Sequence, residues 1–221
     1  MCGRFSLKST IQAIEDEFEI DNIEIPIQPR YNIAPSQNVP VVVYEGKRYL
    51  KLFKWGLVPF WAKDPSIGNK MINARAESLT TKISFKKLFS KNRCIVIADG
   101  FYEWEKGTSG KNPYYFCMKT KKPFGFAGLW SMWNSPEGEI IYSCTIITVE
   151  PNRLVEKIHN RMPAILNKSD YQLWLNYSYS DEKSLLKLLK PYPDEEMTYY
   201  KVSKLVNSPS NDNPDCIKPA E

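Results

Sequence analysis

The second residue is a cysteine, and its chemistry turns on the fate of Met1. A small second residue favours removal of Met1, which would leave Cys2 with an α-amine and a thiol on adjacent carbons. The amine titrates near about 7.7–8.0 and the thiol near about 8.5, so both are partly reactive around neutrality. Such a 1,2-aminothiol has two reactions open to it. The thiol can attack an acyl group with the α-amine as its base. Alternatively, the amine condenses with an aldehyde and the thiol closes onto the imine, giving a thiazolidine ring. A disordered terminus would give Cys2 no role, so the other residues must decide.

Arginine is the minority cation here, seven against 23 lysines. Four of the seven nevertheless occupy short mixed motifs: Cys2-Gly3-Arg4-Phe5, Arg30 to Pro35, Asn73-Ala74-Arg75-Ala76-Glu77 and His159-Asn160-Arg161-Met162-Pro163. The guanidinium fork suits bidentate contact with phosphate. Each alone reads as a surface ion pair; together, with one beside the reactive terminus, they point to a phosphate-lined groove. Strand alternation over Asp99 to Glu105 puts Phe101, Glu103 and Glu105 on one face and Tyr102 and Trp104 on the other. This predicts a solvated face over a core face, with Glu105 in water and Glu103 at the rim of a site beside Gly100. His159, the single histidine, has the unperturbed pKa best suited to shuttling protons at neutral pH. Trp55, Trp61 and Trp104 fit a core, or, in a groove, would stack on unpaired bases.

The elements that must position these groups are mixed. Ser9 to Gln12 forms a capping box ahead of a helix carrying Ile11, Ile14 and Phe18. Strands are predicted at Val39–Tyr44 and Tyr49–Trp55 around a Glu45-Gly46-Lys47 turn, then at Cys94–Ala98, Phe101–Glu105, Tyr114–Met118, Phe124–Leu129 and Ile140–Val149. Phe85–Phe89 is a short helical stretch, and Lys106–Asn112 has hairpin-loop chemistry. Further helices are predicted from Pro151 through Ile158, after a Ser169–Gln172 capping box, and over Asp181–Lys190. Tyr199–Val206 is a closing strand. Strands outnumber helices and do not alternate with them, so the class is α+β, a single domain over residues 1–206 with an antiparallel sheet or barrel and peripheral helices. Residues 207–221 are expected to be a loosely ordered tail.

The 221 residues carry a net charge of +5, and three acidic residues against one basic in the last 15 leave +7 on the rest. That permits an anionic partner without requiring one. Aromatic residues make up 13%, and no apolar run approaches the ~18 residues of a membrane span. The opening residues lack an apolar signal core, so a soluble, cytoplasmic protein is expected. Five cysteines with no C-x-x-C spacing and one histidine give poor support to a zinc site, and Cys94, Cys117 and Cys144 fit buried thiols.

The motif series resembles the SOS response-associated peptidase family of abasic-site-binding proteins. Matching segments are Met1–Phe5, Arg30–Pro35, Trp55–Trp61, Ile72–Glu77, Asp99–Trp104, His159–Pro163 and Val202–Asn207, spread across nearly the whole chain. The resemblance implies a compact α+β domain with a barrel-like core, acting without metal or organic cofactor. It implies that Cys2, once Met1 is removed, forms a thiazolidine with the ring-opened aldehyde of an abasic deoxyribose. Asn73 would orient Cys2 or the sugar. Glu103 would be the acid/base for ring opening and imine formation and would assist removal of Met1. His159 would act on the sugar oxygen, supporting lyase cleavage of the 3′ phosphate linkage and reversal of the crosslink. Arg4, Arg75 and Arg161 would hold flanking phosphates, and Trp61 and Trp104 would wedge or stack against bases. Single-stranded DNA and single-to-double-strand junctions are the implied partners of a monomer that associates with the nucleoid when bound to DNA. Two other classes stay open: an N-terminal-nucleophile amidohydrolase, separated by glutamine hydrolysis, and a non-covalent single-strand-binding module, separated by the absence of any adduct.

Overall fold

Apolar alternation along ten or so short segments builds two packed sheets in this computed structural model, which describes residues 2–23, 25–107, 110–179 and 181–220. The chain opens with β1 (Phe5–Leu7), α1 (Ile11–Phe18), β2 (Asn22–Ile23) and β3 (Arg30–Ile33). The hairpin β4 (Asn38–Tyr44) and β5 (Arg48–Trp55) leads through a long loop to β6 (Asn73–Arg75), α2 (Ile83–Lys91) and β7 (Arg93–Ala98). A second hairpin, β8 (Gly100–Gly107) and β9 (Gly110–Met118), precedes β10 (Phe124–Asn134) and β11 (Ile140–Val149). The remainder is β12 (Met162–Pro163), β13 (Ile165–Leu166), α3 (Tyr171–Leu175), α4 (Glu182–Leu188) and β14 (Met197–Lys201).

Five strands, β5, β4, β7, β10 and β11, close into a barrel. Four of the five pairings are antiparallel, but the seam joins Lys54 and Trp55 to Ser143 and Cys144 in parallel. The expected barrel-like core is present, and its one parallel seam makes it mixed rather than purely antiparallel. The reason is parity: an odd number of strands cannot alternate in direction around a closed ring. A second, antiparallel sheet runs β14-β9-β8-β1-β3. Edge-on ring contacts join it to the barrel, with Phe5 centred 5.1 Å from Trp55 and 5.9 Å from Phe126. Trp55 is fully buried here, as core.

Several local expectations are corrected. Thr10, not Ser9, caps α1 by accepting from the Ala13 N–H at 3.3 Å, because the Ser9 hydroxyl and N–H both donate to buried Asp99. Gln172 does not reach back to a cap; its side-chain oxygen accepts from Arg48 at 2.9 Å. In place of the helix expected from Pro151 through Ile158, residues 153–158 form consecutive turns, with the Asn152 side chain taking the Val155 N–H at 3.0 Å. The last strand stops at Lys201, followed by 3₁₀ turns at Lys204–Asn207 and Pro214–Ile217. The expected loose tail is docked: Asp212 accepts from the backbone N–H groups of Tyr31 and Asn32 and pairs with Arg30, and Cys216 is buried. The hairpin chemistry at Lys106–Asn112 is taken up by paired strand out to Gly107 and Gly110, and its central residues 108–109 lie outside the described residues.

Candidate site around Cys2

Backbone pairing delivers the N-terminal segment to its place. Phe5 pairs with Phe101, the Tyr102 N–H donates to Arg4 O at 2.9 Å, and the Asp99 N–H donates to Ser6 O at 2.8 Å. Gly100 allows this fit, since a Cβ there would lie 2.3 Å from the Tyr115 ring. The strand thus carries Cys2 to the neighbourhood of Glu103. From the other side comes Asn73 on β6, a strand laid parallel to β11 with Asn73 beside Ile146. Its approach is fixed by Ile72 O, which accepts from the Trp55 indole at 2.9 Å and from the Ile146 N–H at 3.1 Å. Asn73 Nδ2 donates to Cys2 O at 2.8 Å.

Cys2 is fully buried, and Glu103 is 2% exposed. Burial pushes the Glu103 carboxyl up from 4.5 to about 7, because a carboxylate loses its hydration there. The Cys2 thiol is also pushed up, first by burial and then by the Glu103 charge, which places the two groups within electrostatic reach. Glu103 therefore does not lie on a solvated face. Both faces of β8 are covered, one by the barrel through Phe101 against Phe126, the other by β3 and the tail, where the Tyr102 hydroxyl donates to Tyr31 O at 2.6 Å and meets Cys216 O at 3.4 Å. Glu105, farther along, is half-buried and accepts from the Tyr114 hydroxyl at 3.3 Å.

His159 and Arg161 follow from the turns after β11. Both backbone polar atoms of Arg161 lie 3.0 Å from His159 Nδ1, so the ring orientation is held in either neutral tautomer. His159 lines a cleft of about 470 Å³ with Trp104, Glu105 and Lys157. Arg161 donates to Thr148 O at 2.6 Å and forks onto Glu77 at 2.6 and 3.1 Å. Those bonds hold the Glu77 carboxyl below its ordinary value, with exposed Arg75 adding to the effect. Strand alternation puts Arg75 on the same face of β6 as Asn73.

Arg4 donates to Asn32 Oδ1 at 2.7 Å and Val206 O at 2.9 Å, and its guanidinium sits 5.7 Å from the Trp104 ring centre. The Trp104 indole donates to Asn207 Oδ1 at 2.7 Å, and these residues with Gly3 and Lys111 line a cleft of about 390 Å³. Arg30 is spent on Asp212 and Gln37, so this fourth arginine is not free for a phosphate. Trp61 is 45% exposed on the loop after Gly56, in a separate basic cleft with Lys63 and Lys70. The structure thus gathers Cys2, Asn73 and Glu103, sets His159, Arg4, Arg161 and Trp104 around them, and leaves Trp61 to one side.

Sequence reasoning passed over Asn32, Glu77 and Thr148. Asn32 is fully buried and ties Arg4 to the carbonyls of Val206, Ser208 and Asn211. Among the described residues, Arg4 Nε, Asn73 Oδ1, Thr148 Oγ1 and Arg161 Nε are buried without a hydrogen-bond partner. Buried polar atoms are rarely left so; Thr145 Oγ1 shares this state, and the Arg4, Asn73 and Arg161 atoms are ones a polar ligand would satisfy. No three His, Cys, Asp or Glu side chains gather as metal ligands among the described residues.

Fold and site together define a one-domain α+β protein organised around a buried, N-proximal cysteine and a neutral-range carboxyl. The chain belongs to the family described as SOS response associated peptidase (SRAP), which it matches over residues 1–209. It is 47% identical over 99% of both chains to a protein of Bacillus subtilis named abasic site processing protein YoqW. It is 36% identical to abasic site processing protein HMCES of Xenopus tropicalis, covering 86% of this chain and 66% of that one. A crystal structure of a protein from Bacteroides thetaiotaomicron superposes over the whole of both chains with a TM-score of 0.90 at 28% identity.

Proposed function

We propose that this protein processes abasic sites in DNA by capturing them covalently through Cys2. Once Met1 is removed, the α-amine condenses with the ring-opened sugar aldehyde and releases one water. The thiol then adds across the imine carbon–nitrogen bond, its proton passing to the nitrogen, and the thiazolidine closes. A lysine Schiff base would hydrolyse readily; ring closure gives a more persistent adduct that shields the lesion. The observation that carries this reading is the joint seating of Cys2, held through its carbonyl by Asn73, beside a Glu103 carboxyl that titrates near neutrality. Such a group can donate a proton to the opening sugar and accept one during imine formation. It also suits assistance in removing Met1.

His159, set by Arg161 at the edge of the same region, would act on the sugar oxygen. It would support elimination of the 3′ phosphate as a lyase side reaction, and reversal of the adduct. Arg4, Arg75 and Arg161 would hold phosphates of a single strand or a single-to-double-strand junction, and Trp104 would stack beside Arg4. The protein would work as a monomer in the cytoplasm, on the nucleoid. No helix among the described residues is long and apolar enough to cross a membrane.

Intact mass after incubation with a single-stranded oligonucleotide bearing one abasic site tests this directly. The expected product is protein lacking Met1 plus oligonucleotide minus one water, absent for Cys2→Ala. Processed protein that forms no adduct overturns the reading.

A further inference from the structure

A cluster of rings on the wall formed by β5, β10 and β11 has no part in the chemistry above. Phe53 and Tyr142 lie nearly parallel, with centres 5.5 Å apart and 15° between planes. Trp130 stands 5.4 Å from Phe53 and 6.2 Å from Tyr142. Phe53 forms the buried floor and Tyr142 is 44% exposed. These rings line a cleft of about 660 Å³ with Phe60, itself 60% exposed, and with Lys51 and Lys87. It shares no lining residue with the clefts around Arg4 and His159.

Charge selects the occupant. An aromatic cup faced by carboxylates takes a cation. Here the Lys87 ammonium lies 5.3 Å from the Phe60 ring centre, and the Glu45 carboxylate on the rim is already bound by Lys51 at 2.9 Å. The surplus is positive, so the complementary ligand is flat, unsaturated and anionic. The neighbouring Trp61 lines a second cleft with Lys63 and Lys70, so a strand crossing the Phe60–Trp61 turn meets a ring and ammonium groups on either side.

We propose that this cleft is a stacking subsite for one nucleotide of single-stranded DNA outside the lesion, its base on Tyr142 and Trp130 and its phosphate against Lys87. The choice of DNA rests on the proposed capture function. Sequence-tolerant stacking of this kind is how proteins hold unpaired strands.

The test uses undamaged oligonucleotides, which separate the subsite from the capture chemistry. A Trp130→Leu/Tyr142→Leu variant keeps apolar fill while removing the rings, and its circular dichroism and thermal unfolding verify the fold. Its affinity for a long undamaged single strand should fall about tenfold. Lys87→Ala should flatten the dependence of log K on log salt by about 0.7 for the lost phosphate. Both variants should capture a very short strand with a central abasic site at the wild-type rate. Unchanged affinity and salt slope on the long strand overturn the subsite, as does an equal loss on long and short strands. Unchanged DNA binding with altered sedimentation would assign the face to a second copy and likewise overturn it. Failure of the wild type to capture the abasic strand, with undamaged binding intact, removes the capture reading alone.

Discussion

Replacing Glu103 by Gln isolates what burial does to this carboxyl. The side chain is 2% exposed, and burial raises its pKa from 4.5 to about 7. The folded chain therefore holds the proton more tightly than the unfolded one. That contribution to stability is complete below about 4.5 and is lost as pH rises through about 7. Glutamine keeps the volume and stays neutral throughout. At about 1.36 kcal/mol per pH unit, the difference amounts to about 3 kcal/mol. Relative to the wild type, Glu103→Gln should gain that much between about pH 4 and pH 8.5, or roughly 6–12 °C in Tm for a chain of this length. Comparing the two proteins at both pH values cancels the other titrating groups. Urea unfolding monitored by tryptophan fluorescence reads the quantity. Parallel pH curves for the two proteins would refute the reasoning, and with it the supply of a proton-bearing carboxyl at neutrality. In the same pair, covalent capture should slow at every pH while affinity for an undamaged strand changes little. Equal loss of both would move Glu103 from chemistry to binding.

Asp212→Ala removes the acceptor that holds two N–H groups of β3 together with Arg30. It should cost about 2–3 kcal/mol in thermal unfolding and raise hydrogen exchange at Tyr31 and Asn32. Glu77→Ala releases Arg161 from its fork. Single-strand binding should tighten and its salt slope steepen by about 0.7, whereas Tm should fall measurably, because the Arg161 side chain is only 14% exposed and keeps just its bond to Thr148 O.

The strands of the barrel were legible because each is a local run of β-branched and aromatic residues with a turn at its end, as in Val39–Tyr44 and Ile140–Val149. Which strands meet at the closure, and in which direction, was not legible. The parallel seam joins Trp55 to Cys144, 89 residues apart, and nothing local in either strand marks it. The tail misled for a related reason. Its Asn, Asp, Ser and Pro residues have the composition of disorder, yet here they serve as ligands for other backbone: Asp212 on β3, Asn213 on the Asp215 N–H. Asn32 was hidden in the same way, since the partners of its Nδ2 lie 174 to 179 residues away. The candidate chemistry was legible by residue type in Cys2, Glu103 and His159. Its electrostatics were not, because the β8 face carrying Phe101 and Glu103, which alternation assigns to solvent, is packed against the barrel.

The same burial constrains the order of events at Cys2. A thiol pushed up by its surroundings and by the Glu103 charge is neutral at pH 7, which makes it a weak first attacker on any acyl or carbonyl carbon. This counts against a thiolate-led hydrolase and fits a sequence in which the amine reacts first. In the proposed capture, once an imine stands on the adjacent nitrogen, the thiol would need only to lose its proton as it adds, closing a five-membered ring. Asn73 fixes that backbone through the carbonyl, and Glu103 near pH 7 can take the proton and return it to the nitrogen. The buried carboxyl thus raises the thiol's pKa in the resting site and, in the proposed capture, would lower the barrier for the step in which the thiol is used.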